Sequence, residues 1–188
     1  MKAIFAFLGF VVLVIFVVVL VARGGNDTPD VEPAPQLAEA ASSDATFRLT
    51  ELGPITAEED HFRVEIAVSR DNREIVVYQG YNNLVVASQR FSNSQAAFEE
   101  FLSALDRAGY TNSRNTNYES EAGLCPTRSR FVFTSDQFDE EFRRWTTECR
   151  EKGNFGGDFS TNQLLFENQI PELNTFLSDT RRATGLSL

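Results

Sequence analysis

The chain has 188 residues with 17 basic and 27 acidic side chains, which give a formal net charge of −10 at neutral pH. A chain this acidic repels phosphate backbones, so nucleic acid is excluded as a partner. The length allows one domain with one core, and 13 of the 17 phenylalanines lie in residues 46–188, which favours a packed globule over disorder.

The N-terminal segment is apolar throughout from Ala3 to Ala22. A helix of this length crosses a hydrocarbon core of about 30 Å, so residues 1–23 are predicted to be a transmembrane signal anchor. A cleaved signal peptide would have a shorter apolar core and a nearby small-residue cleavage site, whereas the nearest such site here, at 38–40, lies too far downstream. A retained anchor is therefore the favoured interpretation.

The charges beside the apolar segment predict its orientation. The N-terminal amine and Lys2 precede the segment, and Arg23 follows it closely. The positive-inside rule then favours a cytoplasmic N-terminus. We expect a single-pass protein of the cell membrane whose C-terminal domain lies outside the cytoplasm.

The residues that follow the anchor predict a flexible tether. Residues 24–45 contain Pro29, Pro33 and Pro35 among small and acidic residues, without apolar periodicity. The extracytoplasmic domain is then expected at 46–188.

An antiparallel meander is predicted at the start of the domain. Residues 61–70 alternate between apolar and polar side chains, as a half-buried strand does. A turn at 71–72 leads into a second strand at 73–78, and another turn leads into a third strand at 84–88.

Helix signals flank a further strand. Ser92 begins a capping-box sequence, and apolar residues then recur at helical spacing until Gly109. An apolar strand is predicted at 130–133. Ser160 opens another helix, and Pro171 starts a last helical segment.

The segment 136–152 carries conflicting signals. Its apolar residues recur at helical spacing, whereas Trp145 and the threonines after it suit a strand. We favour a hairpin centred on Gln137, which places Cys125 opposite Cys149.

The chain has two cysteines, Cys125 and Cys149, and neither lies in a C-x-x-C motif or near the single histidine. Zinc needs about four ligands, so a zinc site is not favoured. We predict a structural disulfide, which persists in an oxidising compartment and agrees with the outward placement. Two free thiols in a cytosolic domain are the alternative.

Four short motifs lie between residues 125 and 171. They are Cys125-Pro126-Thr127 followed by Arg130, Trp145-x-Thr147-x-Cys149, Gly153-x-Phe155-x-Gly157, and Leu165-Phe166-x-x-Gln169-Ile170-Pro171. In these motifs the chain resembles a family of uncharacterised, disulfide-containing, single-span envelope proteins from small-genome, candidate-phylum bacteria. The resemblance implies a hairpin between the cysteines and implies no activity. The chain departs from the pattern at 136–141, which is more acidic and more helix-prone.

His61 is the one histidine, and it follows the acidic residues 58–60. This cluster could serve as a general base or a metal site, but its place just before a strand favours a solvated turn.

Three arginines form the candidate binding site. In the favoured register Arg130 lies opposite Arg144, with Arg128 on the same face. Such like charges need a bound anion or an internal carboxylate such as Glu140 to offset them. The sequence favours internal pairing, and an anionic ligand at the three arginines is the functional alternative.

We therefore expect an α+β fold, in which an antiparallel sheet of a meander plus a hairpin carries helices on one face. No catalytic residue, metal ligand or cofactor is predicted. The predicted function is a membrane-anchored extracytoplasmic binding or assembly module of the cell envelope, bound to the membrane through residues 3–22 and to an envelope protein or an anionic polymer. An anchored carboxylate-based hydrolase is the alternative.

Overall fold

The computed structural model of the chain describes residues 37–136, 142–150 and 152–188. The contacts divide the chain after Ala34, and all described residues belong to the second unit, Pro35–Leu188. The predicted anchor at 1–23 lies outside the described residues. Within them, no helix has the length and apolar character needed to cross a membrane.

A six-stranded antiparallel sheet forms the frame of the domain, with the strand order β4-β3-β2-β1-β5-β6. Together with the helices, it confirms the α+β class. The strands are β1 (Thr46–Leu52), β2 (Phe62–Ser69), β3 (Asn72–Gln79), β4 (Leu84–Ser92), β5 (Arg130–Ser135) and β6 (Phe142–Thr147).

The predicted meander and hairpin are confirmed, and a strand between them was missed. The strand β2 alternates strictly between buried and half-buried residues, as its sequence predicts. The unpredicted strand β1 pairs with β2 on one side and with β5 on the other. Its buried residues Phe47 and Leu49 place it at the centre of the core.

Four helices complete the domain: α1 (Leu37–Ala40), α2 (Gln95–Arg107), α3 (Phe159–Glu167) and α4 (Leu173–Thr184). The predicted start at Ser92 is wrong, because Ser92 still pairs with β3 as the last residue of β4. Ser94 caps α2 instead, and its hydroxyl accepts a hydrogen bond from the Ala97 amide. Asp158 rather than Ser160 caps α3.

The helices α2, α3 and α4 pack on the same face of the sheet. Phe98 of α2 contacts Phe47, Phe159 of α3 contacts Phe131, and Leu177 of α4 lines a cavity with β1 and β2 residues. Tyr110 lies at the centre of this aromatic core, and its hydroxyl donates to the Thr134 carbonyl at 2.8 Å.

The helix α1 lies in the segment that the sequence assigned to the tether. Leu37 and Ala40 are fully buried and belong to the core, and Ala45 is buried beside them. The ordered domain therefore includes residues 37–45, because these few apolar side chains find a place in the core that composition does not reveal. Residues 24–36 lie outside the described residues.

Candidate functional site

A disulfide joins Cys125 and Cys149, whose Cα atoms are 5.5 Å apart, so the predicted bond is confirmed. The register that suggested it is wrong. Arg130 faces Thr147, and Phe133 faces Arg144. The cysteines meet beyond the strand ends, where the Arg128 amide donates to the Cys125 carbonyl and turns the chain.

The core selects this register. Phe142 is buried and its ring stacks on Tyr110, with the ring centroids 5.2 Å apart. A strand that slips by an odd number of residues turns every side chain to the other face. Burying Phe142 against Tyr110 therefore also decides on which face Arg144 lies.

The three predicted arginines do not form one site. Arg128 is exposed in the turn after Cys125. Arg130 and Arg144 lie on opposite faces of the sheet. Arg144 pairs with Phe133 and shares its face, and the side chains of Phe133 and Arg130 in β5 point to opposite faces. The predicted partner Glu140 lies outside the described residues. The anion site proposed from the sequence is therefore not assembled.

Arg130 and Arg144 contact groups of the fold itself. Arg130 is buried and donates to the Gly53 carbonyl at 2.6 Å. The guanidinium of Arg144 lies 4.8 Å from the centroid of the Phe142 ring and donates to the Arg143 carbonyl. Burial lowers the pKa of both guanidinium groups from their usual value. These contacts tie loops and strands together.

His61 is buried rather than solvated. Its Nδ1 atom lies 3.1 Å from the Pro54 carbonyl, and its ring stacks on Tyr81 at 4.0 Å. Of the acidic residues before it, Glu58 accepts hydrogen bonds from the Tyr81 amide and from Asn82, both at 3.1 Å. The described residues hold no group of three or more potential metal ligands. The cluster closes the turn between β3 and β4.

Among the described carboxylates, Glu51 has the surroundings that best suit acid–base chemistry. It lines a cavity of about 40 Å³ together with Glu167, and it accepts a hydrogen bond from the Ser129 hydroxyl at 2.6 Å. Burial raises its pKa, although the Ser129 hydrogen bond opposes the shift. The cavity has room for little more than water, so it does not admit a polymer.

The two edges of the sheet differ. Along β6, the Trp145 amide donates to the Asn154 side chain at 2.8 Å, and the Trp145 carbonyl accepts from the Phe155 amide at 3.0 Å. Gly153 allows this close approach, because a Cβ there would clash with the Trp145 carbonyl. At the other edge, β4 pairs with β3 alone among the described strands. An open edge offers backbone donors and acceptors to another chain.

A groove of about 640 Å³ runs between the open edge and α4. Its apolar floor includes Ala87, Phe91 and Phe176, which are partly buried against the core. Two carboxylates, Glu172 and Asp179, line the groove, and no basic side chain does so among the described lining residues. The full lining is Val86, Ala87, Gln89, Phe91, Pro171, Glu172, Thr175, Phe176, Asp179, Thr180, Ala183 and Thr184.

Exposed apolar residues continue this surface at the start of β4. Leu84 is 63% exposed, Val85 53% and Tyr81 50%. The sequence predicted the strand at 84–88 but not that it ends the sheet, because strand order depends on pairing between distant segments. Trp145, which the sequence analysis took as favouring a strand, lies in β6 and is fully buried.

The chain matches no protein-family model, and a search of curated proteins finds no significant match.

Proposed function

We propose that this chain is a membrane-anchored extracytoplasmic module that binds an envelope protein by adding an extended segment of that partner to β4. The open edge of β4 is the observation that carries the proposal. Strand addition uses the unpaired backbone groups for affinity and the neighbouring groove for side-chain selection.

The groove suggests the chemistry of the partner. Its apolar floor suits alternate apolar side chains of an added strand. Of its two carboxylates, Asp179 pairs with Arg182 at 2.5 Å, whereas Glu172 has no ion pair within the described residues. A basic side chain beside Glu172 would complement this charge. The proposed partner segment therefore carries apolar side chains and a basic side chain on the same face of the added strand, at every second position.

The placement outside the cytoplasm rests on separate observations. The apolar residues 3–22 suit a single-pass anchor, and the disulfide requires an oxidising compartment in order to persist. Both favour the cell membrane with the domain outside, in agreement with the resemblance to single-span envelope proteins. The hydrolase alternative has no comparable support, because the cavity beside Glu51 is too small for a polymer.

A peptide-binding experiment tests the proposal. The full-length chain in detergent micelles is titrated into a fluorescent peptide in which valine or lysine occupies every second position and serine the positions between, so that valine and lysine share one face. We expect binding, and we expect Thr175→Trp to weaken it by about tenfold or more, because the indole obstructs the groove where Thr175 lines it. Thr175 is exposed and lines the groove.

Asn174→Trp is the matched control, since Asn174 is exposed on the same helix and does not line the groove. It should bind like the wild type. A peptide with glutamate in place of lysine should bind more weakly. Equal loss in both tryptophan variants would contradict the assignment. So would a dimer, measured by light scattering, that Thr175→Trp dissociates, because the occupant would then be a second copy.

A further inference from the structure

A second surface differs in sign from the rest of the chain. Arg114, Arg150 and Lys152 line a shallow cleft of about 540 Å³, and no carboxylate is among its described lining residues. The whole chain carries a net charge of −10. Glu151 lies between two of these cations in the sequence but outside the described residues, and the three cations outnumber it, so this part of the acidic protein carries a local excess of positive charge.

The cleft is built from two segments that hydrogen bonds hold together. The Arg114 amide donates to the Asn154 carbonyl at 2.9 Å, and the Thr116 hydroxyl donates to the Lys152 carbonyl at 3.3 Å. Arg150 directly follows Cys149, which the disulfide joins to Cys125. The walls are therefore positioned before any ligand arrives, which lowers the entropic cost of binding.

The cations keep donors available for a ligand. Arg114 uses its Nε atom to donate to the Gly153 carbonyl at 2.8 Å, and its terminal nitrogens make no hydrogen bond within the described residues. Lys152 donates to the Thr147 carbonyl at 2.7 Å. Arg150 is exposed and has no hydrogen bond or ion pair to any described residue. Guanidinium forks match the geometry of carboxylate and phosphate groups.

The uncharged lining points to a sugar. Asn115, Thr116 and Asn117 supply amide and hydroxyl groups, and Tyr118 adds an aromatic ring that is 42% exposed. Amides and hydroxyls recognise sugar hydroxyl groups, and an exposed tyrosine ring offers an apolar face with a polar tip. The open shape suits a chain that passes through rather than an enclosed small molecule.

We propose that this cleft binds an acidic polysaccharide, a sugar polymer that carries carboxylate or phosphate groups. The site lies beside the edge of β6 and is independent of the proposed β4 site. A polysaccharide is favoured over an anionic membrane surface, because the amide, hydroxyl and tyrosine groups of the lining suit sugar rings and hydroxyl groups.

The test uses probes with one sugar backbone and different charges. Carboxymethyl dextran, dextran phosphate and neutral dextran are titrated against the full-length chain in non-ionic micelles by calorimetry. We expect one or both charged dextrans to bind, the stronger of them identifying the anion, and neutral dextran to bind much more weakly. Polyglutamate, which is anionic without sugar rings, should also bind weakly.

Variants locate the site. R150Q should weaken binding of the charged dextran by about fivefold and R150Q/K152Q by about tenfold or more, since each exposed contact between charges contributes up to about 1 kcal/mol. R107Q/R181Q removes the same charge from exposed arginines elsewhere and should change affinity little. Because Lys152 also holds a backbone carbonyl, the single R150Q variant keeps the test valid if the double variant unfolds.

Three results would overturn the proposal. The first is that neither charged dextran binds. The second is that R107Q/R181Q loses as much affinity as R150Q/K152Q, which would indicate a general charge effect. The third is tighter binding to phosphatidylglycerol vesicles than to either dextran, with the same dependence on Arg150, which would assign the cleft to lipid.

Discussion

Glu51 of β1 is half-buried and Arg130 of β5 is buried, and these two ionisable side chains lie on paired strands. Glu51 faces the helices and accepts a hydrogen bond from Ser129, whereas Arg130 faces the opposite side and donates to the Gly53 carbonyl. Because they lie on opposite faces, neither charge neutralises the other. The Glu51 carboxylate and the Arg130 guanidinium each bond to a neutral group. A neutral partner offsets only part of the free energy that burial of a charge costs.

Replacing Glu51 with Gln should stabilise the domain at neutral pH. Burial raises the pKa of Glu51 in the folded state, so folding disfavours the carboxylate, and this cost is fully present above the folded pKa. Glutamine keeps an oxygen that can accept the Ser129 hydrogen bond without the charge. We expect a gain of about 1 kcal/mol in the free energy of unfolding, measured by thermal denaturation at neutral pH.

The pH dependence of this gain is the stricter test. As the pH falls through the raised folded pKa and then the ordinary glutamate range, Glu51 becomes protonated in both states and the advantage of Glu51→Gln should disappear. Glu100→Gln, at an exposed position on α2, should show no such trend. A variant that is less stable at neutral pH would mean that the charged form of Glu51 stabilises the fold.

At the scale of elements, periodicity predicts those whose burial is local. The strand β2 alternates cleanly because one face is buried, and α2 repeats its apolar residues until Gly109. The strand β1 is not predicted because its alternation is short: Glu51 follows Phe47 and Leu49 on the same face. Its stability comes from two partner strands elsewhere in the chain.

The hairpin register shows the same limit. The sequence indicates that β5 and β6 pair, but the register depends on the contact between Phe142 and Tyr110, which belong to distant segments. The predicted arginine site required Arg130 opposite Arg144, so the observed register also rules out that site. The cleft at Arg114 and Arg150 could not be predicted, because only tertiary structure brings the two segments together.

Removing the disulfide should destabilise the domain without abolishing the sheet. The cross-link closes a loop with a sequence separation of 24 residues. The chain-entropy model gives about 3.5 kcal/mol for such a loop, and a domain of this size then melts about 10 °C lower. We expect this shift for Cys125→Ala/Cys149→Ala and for the reduced wild type.

Limited proteolysis distinguishes a local effect from a global one. The double alanine variant should be cut first in residues 113–128, which the disulfide ties to the end of β6, while the strands retain their circular dichroism signal. An unchanged melting temperature after reduction would contradict a structural role for the bond.

At the scale of the whole molecule, the two proposed surfaces lie at opposite edges of one sheet. The groove beside β4 carries unpaired carboxylate charge, and the cleft beyond β6 carries three cations. Ligands of opposite charge could therefore occupy the two surfaces together. Such an arrangement suits a module that connects a protein segment to a polymer. Both surfaces can bind these ligands only if the domain lies outside the cytoplasm.

The orientation of the chain in the membrane decides whether the two proposed surfaces lie outside the cytoplasm. Protease added to intact spheroplasts should release a soluble domain cut within 24–36, because residues 37–45 belong to the folded domain and the preceding proline-rich segment has the composition of a tether. Immunoblotting of the supernatant, with mass spectrometry of the new N-terminus, measures the release.

Without protease the chain should stay in the membrane fraction, whereas spontaneous release would indicate a cleaved signal peptide. Full protection from protease would place the domain in the cytoplasm and remove the envelope function, because neither the proposed partner segment nor the polymer would be within reach.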